Sequence, residues 1–105
     1  MVLNKLFLDY NHFKGPGFRN IEEVLKSVLW RVTELSLTHC FLYDPEVVVL
    51  ANGIKENFFL EILNLSHNAI QSLGILSLAE ALSSSSKLIS LDLSHNQISV
   101  RVLLE

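Results

Sequence analysis

Four ring-bearing residues recur at one point of a repeating phrase: Tyr10, His39, His67 and His95. Each stands one residue before Asn11, Cys40, Asn68 or Asn96, at spacings of 29, 28 and 28 residues. If these positions fall on neighbouring strands, the rings lie roughly 5 Å apart, the distance between paired strands. Three imidazoles in a column raise metal binding first, because imidazole is the commonest metal ligand. A straight ladder does not converge on a tetrahedral point, and no carboxylate or thiol repeats beside it, so no metal is expected. Stacked imidazoles resist joint protonation, which leaves the column as a candidate pH-sensitive patch.

The adjacent pair His39 and Cys40 offers a base beside a thiol. Neighbouring residues of an extended chain point to opposite faces, however, and Cys40 shares its position with three asparagines, so a structural cysteine is expected. No G-x-S-x-G, P-loop or H-E-x-x-H occurs, nor any serine–histidine–acid set in a recognisable strand–turn context. The expectation is therefore no enzyme, no catalytic residue and no cofactor.

The elements that hold these columns follow from the repeat. Leu60-Glu61-Ile62-Leu63-Asn64-Leu65-Ser66-His67-Asn68-Ala69-Ile70 spells L-x-x-L-x-L-x-x-N-x-I. The phrase returns at Leu88, Leu91, Leu93, Asn96 and Ile98; at Val32, Leu35, Leu37, Cys40 and Leu42; and at Leu3, Leu6, Leu8, Asn11 and Phe13. One array spanning 1–105 is expected, with repeats at about 3–31, 32–59, 60–87 and a partial 88–105. Apolar–polar alternation predicts short strands in 2–9, 33–38, 61–66 and 89–94. Phe18, Ile21, Val24, Leu25, Val28 and Leu29 predict a helix over 17–29, with Trp30 covering its end. Val47, Leu50, Ala51 and Ile54 predict another over 45–56, and Leu78, Ala81 and Leu82 continue a third. Gly15, Asp44 and Ser72 are the candidate helix caps. Glu46 stands where Gly17 and Gly74 stand in the matching repeats, and Ser83-Ser84-Ser85-Ser86 is expected to be a loop.

A period of 28 to 29, with this leucine phrase and a helical half of the type G-x-x-x-L-x-x-x-L, resembles the ribonuclease-inhibitor-type leucine-rich repeats. Gly74, Leu78 and Leu82 match that half closely; Gly17, Ile21 and Leu25 match it conservatively; Glu46, Leu50 and Ile54 lack the glycine. The asparagine or cysteine at 11, 40, 68 and 96 is also similar to the family's usage. The resemblance implies an α/β solenoid, with a curved parallel sheet on the concave side and helices on the convex side. Each β–α unit is too small to bury its apolar face alone, and stacking joins the units into one core. Leu6, Leu8, Leu35, Leu37, Leu63, Leu65, Leu91 and Leu93 should point inward. Asn11, Cys40, Asn68 and Asn96 form a structural ladder, their side chains serving backbone groups of neighbouring coils.

Residues between the inward leucines face the concave side. In repeat order they form the columns Lys5, Glu34, Ile62, Ser90; Phe7, Ser36, Asn64, Asp92; and Asp9, Thr38, Ser66, Ser94. Concave solenoid faces are common binding surfaces. Lys5, Phe7, Asp9, Glu34, Ser36, Ile62, Asn64, Ser90 and Asp92 are accordingly the candidate contacts to a protein partner, with Phe7 and Ile62 as apolar anchors.

Composition narrows the partner's class. Half of the 105 residues are apolar, and the net charge is −3 with lysines and arginines scattered singly. That pattern favours neither nucleic acid nor a membrane surface as partner. No long apolar run or signal-peptide pattern is apparent, and the single Cys40 cannot form an internal disulfide; a soluble, intracellular, cytoplasmic chain is expected. The leading expectation is a non-enzymatic interaction module or scaffold. The alternatives are a regulatory piece of a GTPase-activating or nucleotide-binding-receptor type repeat protein, for which Arg19 or Arg31 would make the charged contact, and a truncated product without independent function. A short uncapped array, a fragment or isoform, is expected to self-associate through its ends.

Overall fold

The computed structural model describes residues 5–13, 18–27, 31–85 and 87–97. Strands β1 (Lys5–Phe7), β2 (Glu34–Ser36), β3 (Ile62–Asn64) and β4 (Ser90–Asp92) alternate with helices α1 (Arg19–Lys26), α2 (Asp44–Lys55) and α3 (Ser72–Ser85). All strand pairs are parallel, in the sequential order β1-β2-β3-β4. Helix α1 packs on α2, and α2 on α3. This is the α/β leucine-rich-repeat solenoid: a parallel sheet lines one side and a row of helices the other.

The register is the one the repeat dictates. Leu6, Leu35, Leu63 and Leu91 are successive partners across the sheet. Leu35, Leu37, Leu63 and Leu65 are fully buried, and each contributes roughly 1.5–3 kcal/mol by leaving water. Their equivalents in the outer strands, Leu6, Leu8 and Leu93, are half-buried, and Leu91 lies partly exposed. From the helical side, Phe18, Ile21, Leu25, Val47, Leu50, Ile54 and Leu78 close the same core.

The strands are shorter than the apolar alternation suggests, three residues each, because the chain turns sharply just beyond them. Tyr10, His39, His67 and His95 all adopt positive φ, between 55° and 62°. The next residue holds each turn. Asn68 Nδ2 donates to the carbonyls of Leu65 and Ser66, Asn96 Nδ2 to those of Leu93 and Ser94, and Asn11 Nδ2 to those of Leu8 and Asp9. The side chain thus spans the left-handed residue before it, which offsets a conformation that is costly for a residue with a Cβ.

The same amides stitch the coils together. Asn68 Nδ2 also reaches Leu37 O at 2.9 Å, and its Oδ1 accepts the N–H groups of Cys40 and Leu42 at 2.9 and 3.1 Å. Asn96 repeats this with Leu65 O and the N–H of Ile70. At the junction of the first two coils Cys40 takes the place, its Sγ lying 3.2 Å from Leu8 O and 3.4 Å from Thr38 O. A thiol donates weakly and accepts poorly, so that junction gains less from its ladder residue.

Several expectations need correcting. The second helix starts at Asp44, and Asp44 does not cap it: the capping residue is Tyr43, whose N–H donates to Glu46 Oε1 at 2.9 Å. Glu46 therefore replaces the repeat's glycine with a side-chain cap. Asp44 Oδ1 instead accepts the N–H of Gln71 at 2.7 Å, tying α2 to the start of the next helical segment. Gly74 is the corollary: a Cβ there would meet Asp44 Oδ1 at 2.8 Å and Ile70 Cγ2 at 2.9 Å. The serine run is not wholly loop. Helix α3 continues through Ser85, with Ser83 Oγ donating back to Glu80 O. The first helix is shorter than expected: it ends at Lys26, because Ser27 is extended (ψ 126°) and its N–H caps the Glu23 and Val24 carbonyls, while its expected start at 17 lies outside the described residues. Leu3, Gly15, Gly17, Trp30, Ile98 and the tail of the fourth repeat fall there too. Among the described residues, no helix is long and apolar enough to cross a membrane.

Candidate interaction surface

Strand alternation sets the concave columns. Lys5, Glu34, Ile62 and Ser90 are neighbours across the four strands, as are Phe7, Ser36, Asn64 and Asp92. Two apolar side chains stand out of this sheet: Phe7 is 57% exposed and Ile62 38%. Lys5, Ser90 and Asp92 are exposed, while Asp9, Glu34 and Asn64 are half-buried.

Part of this polar surface is spent on the protein itself. Asp9 Oδ1 accepts the Ser36 hydroxyl at 2.7 Å and the Thr38 N–H at 2.8 Å, which joins the first two coils. Ser36 is consequently only 8% exposed and offers little area to a partner. Asn64 Oδ1 accepts the Ser66 N–H, and Asp92 Oδ1 accepts both the N–H and the hydroxyl of Ser94. These bonds hold the carboxylates in their charged form. Burial pushes the Asp9 carboxyl upward, but hydrogen bonds from Ser36 and Thr38 outweigh it and leave it below its usual range. Asp92 is lowered chiefly by the Ser94 hydroxyl, then by the Ser94 N–H. The concave face thus presents Phe7 and Ile62 among the ionised Asp9 and Asp92, beside Glu34 and with Lys5 at one edge.

Beyond the strand ends the rings of Tyr10, His39, His67 and His95 stack in one column. Their centroids are 4.4, 4.3 and 4.1 Å apart, with interplanar angles of 9°, 11° and 10°. The imidazoles are parallel plates, and among the described residues no three His, Cys, Asp or Glu side chains converge as a metal set. The His67 imidazole is held below its usual value, first by desolvation and then by His95 and His39, with Asp92 opposing. Cys40 is buried, and that burial raises its thiol, so Cys40 and His39 do not form an activated pair. Arg31 lies with its guanidinium carbon 5.7 Å from the Phe59 ring centre, and Arg19 opens α1 on the helical side.

Two further features carry little signal in the sequence. Asn57 is a buried polar residue: its Nδ2 donates to Leu25 O, and its Oδ1 accepts the N–H groups of Phe59 and Leu60. It fastens the end of α1 to the return into β3. The aromatic residues of the turn edge, His12, Phe41 and Tyr43, form the other. Phe41 and Tyr43 flank buried Leu42, and that alternation was the signal available.

Among known proteins, a family model described as "Leucine Rich repeat" matches residues 56–79 and 84–100. No curated protein matches the sequence. Among solved structures the fold is similar to that of leiomodin-1 actin-binding site 2, with a TM-score of 0.80 and 21% identity. The match covers 93% of this chain and 59% of that one, so this chain spans less than two thirds of the structure it resembles.

Proposed function

We propose that this leucine-rich-repeat solenoid is a non-enzymatic protein-interaction module of the ribonuclease-inhibitor type, acting as a scaffold that docks a protein partner on its concave sheet. The observation that carries the reading is the pair of apolar side chains, Phe7 and Ile62, standing exposed on a sheet that is otherwise polar. Large exposed side chains at the centre of a polar rim are the usual anchors of protein interfaces. Lys5, Glu34, Asn64, Ser90 and Asp92 surround them and supply charge and hydrogen-bond complementarity. Asp9 contributes as a fixed negative charge, held by the hydroxyl of Ser36 on the neighbouring strand. The fold is similar to that of an actin-binding region, which makes actin the first protein partner to assay.

The test is capture of partners by the tagged chain from cell extract, alongside co-sedimentation with purified actin. The Phe7→Ala/Ile62→Ala pair is compared in both. These residues are exposed, so the variant should melt like the parent while losing the partner. A partner retained at full strength by a folded double variant would refute the concave assignment.

A further inference from the structure

We infer that the turn edge of the solenoid is a second docking surface, which takes an arginine- or lysine-bearing segment of a partner protein. This edge lies past the strand ends, away from Phe7 and Ile62. Phe41 is 61% exposed there and Tyr43 57%, and the His12 ring lies 4.8 Å from that of Phe41. Phe41 holds a φ of 56°, an unusual conformation for a bulky residue.

Between these rings is a recess of about 150 Å³, lined by His39, Phe41, Tyr43, His67, Asn68 and Ala69. At roughly 30 Å³ per water it holds about five waters, room for a guanidinium or ammonium head with its last methylenes. Four of the six lining residues present π systems.

The surrounding charge chooses the occupant. Glu46 is held at Tyr43 by its bond to the Tyr43 N–H, and Asp44 is held at Gln71, two residues from Ala69. The charge of Asp92 acts on His67 and His95, and that of Asp9 on His39. Among the described residues of 8–13, 38–46, 66–71 and 94–97 there is no lysine or arginine. Aromatic faces with carboxylates nearby attract a cation twice over, through the ring quadrupoles and through Coulomb attraction. An acidic segment is repelled. An apolar one would leave the carboxylates unused.

The experiment is an NMR titration of the full chain with a short glycine–arginine peptide, and with its citrulline twin, which keeps the shape and loses the charge. Shifts confined to Phe41, Tyr43 and His67, and absent with citrulline, are expected. Phe41→Leu/Tyr43→Leu keeps the edge apolar while deleting two π faces; it should weaken the arginine peptide about tenfold. Phe7→Ala/Ile62→Ala should leave it unchanged, which separates this surface from the concave one. Equal binding of the citrulline peptide, shifts centred on Glu34 and Asp92, or no shift at millimolar peptide would overturn the inference.

Discussion

Replacing Asn68 by alanine should cost more stability than any other change in the polar ladder. Its Oδ1 accepts the N–H groups of Cys40 and Leu42, both in fully buried residues, and its Nδ2 serves Leu37, Leu65 and Ser66. Alanine strips the acceptor from two core N–H groups. At about 1–3 kcal/mol for each buried group left without a partner, the loss is roughly 2–6 kcal/mol. A domain of this size has a total of about 5–15 kcal/mol to lose. Asn96→Ala removes the acceptor of one N–H, that of Ile70, and should cost about half as much. Asn11 is exposed and, among the described residues, its Nδ2 bonds to carbonyls of its own turn, so Asn11→Ala should stay within about 1 kcal/mol. Urea unfolding followed by circular dichroism gives the three values, read as midpoint shifts at unchanged slope. If Asn68→Ala cost no more than Asn11→Ala, the ladder would not be what holds the coils together.

The remaining expectations rest on separate features. Gly74→Ala should destabilise by about 1–3 kcal/mol in the same assay, because the new methyl meets Asp44 and Ile70; a stabilised variant would mean that helix propensity outweighs the clash. Cys40 should react with a thiol reagent only as fast as the chain opens, since its thiol is buried and raised. Rapid labelling in native buffer would contradict that placement. The His67 imidazole is depressed, so on acidification the unfolded chain binds its proton first. Folded stability should fall as pH drops below the ordinary histidine value of 6.5 and level off once the folded value is passed. Melting temperatures across that window, compared with those of His67→Asn, measure it, and a melt that rises with acid would refute the sign.

The repeat alone determined a great deal. A leucine phrase returning every 28 to 29 residues admits one parallel register, because a slip of one residue would turn every leucine to water. Leu35, Leu63 and Leu91 are paired across the sheet for that reason, and the columns through Phe7 and Ile62 follow by alternation. The ring column was legible too, since Tyr10, His39, His67 and His95 keep one offset from the ladder residues. Its spacing, 4.1 to 4.4 Å, is slightly tighter than the separation of paired strands, as stacked rings in contact require.

Tertiary structure decided what individual polar side chains do. Asp44, Glu46, Asp9 and Ser36 all looked like cap or surface residues, and local rules could not separate them. Their roles depend on groups some 27 to 29 residues away: the Gln71 N–H for Asp44, and the Thr38 N–H for Asp9, which also takes the hydroxyl of Ser36. Glu46 is the local exception, answering a backbone N–H three residues back. The recess between Phe41, Tyr43 and His67 likewise exists only because successive turns stack. Periodicity specifies which face a residue occupies; the partner that satisfies a polar atom on that face is set by the neighbouring coil, which the local sequence does not contain.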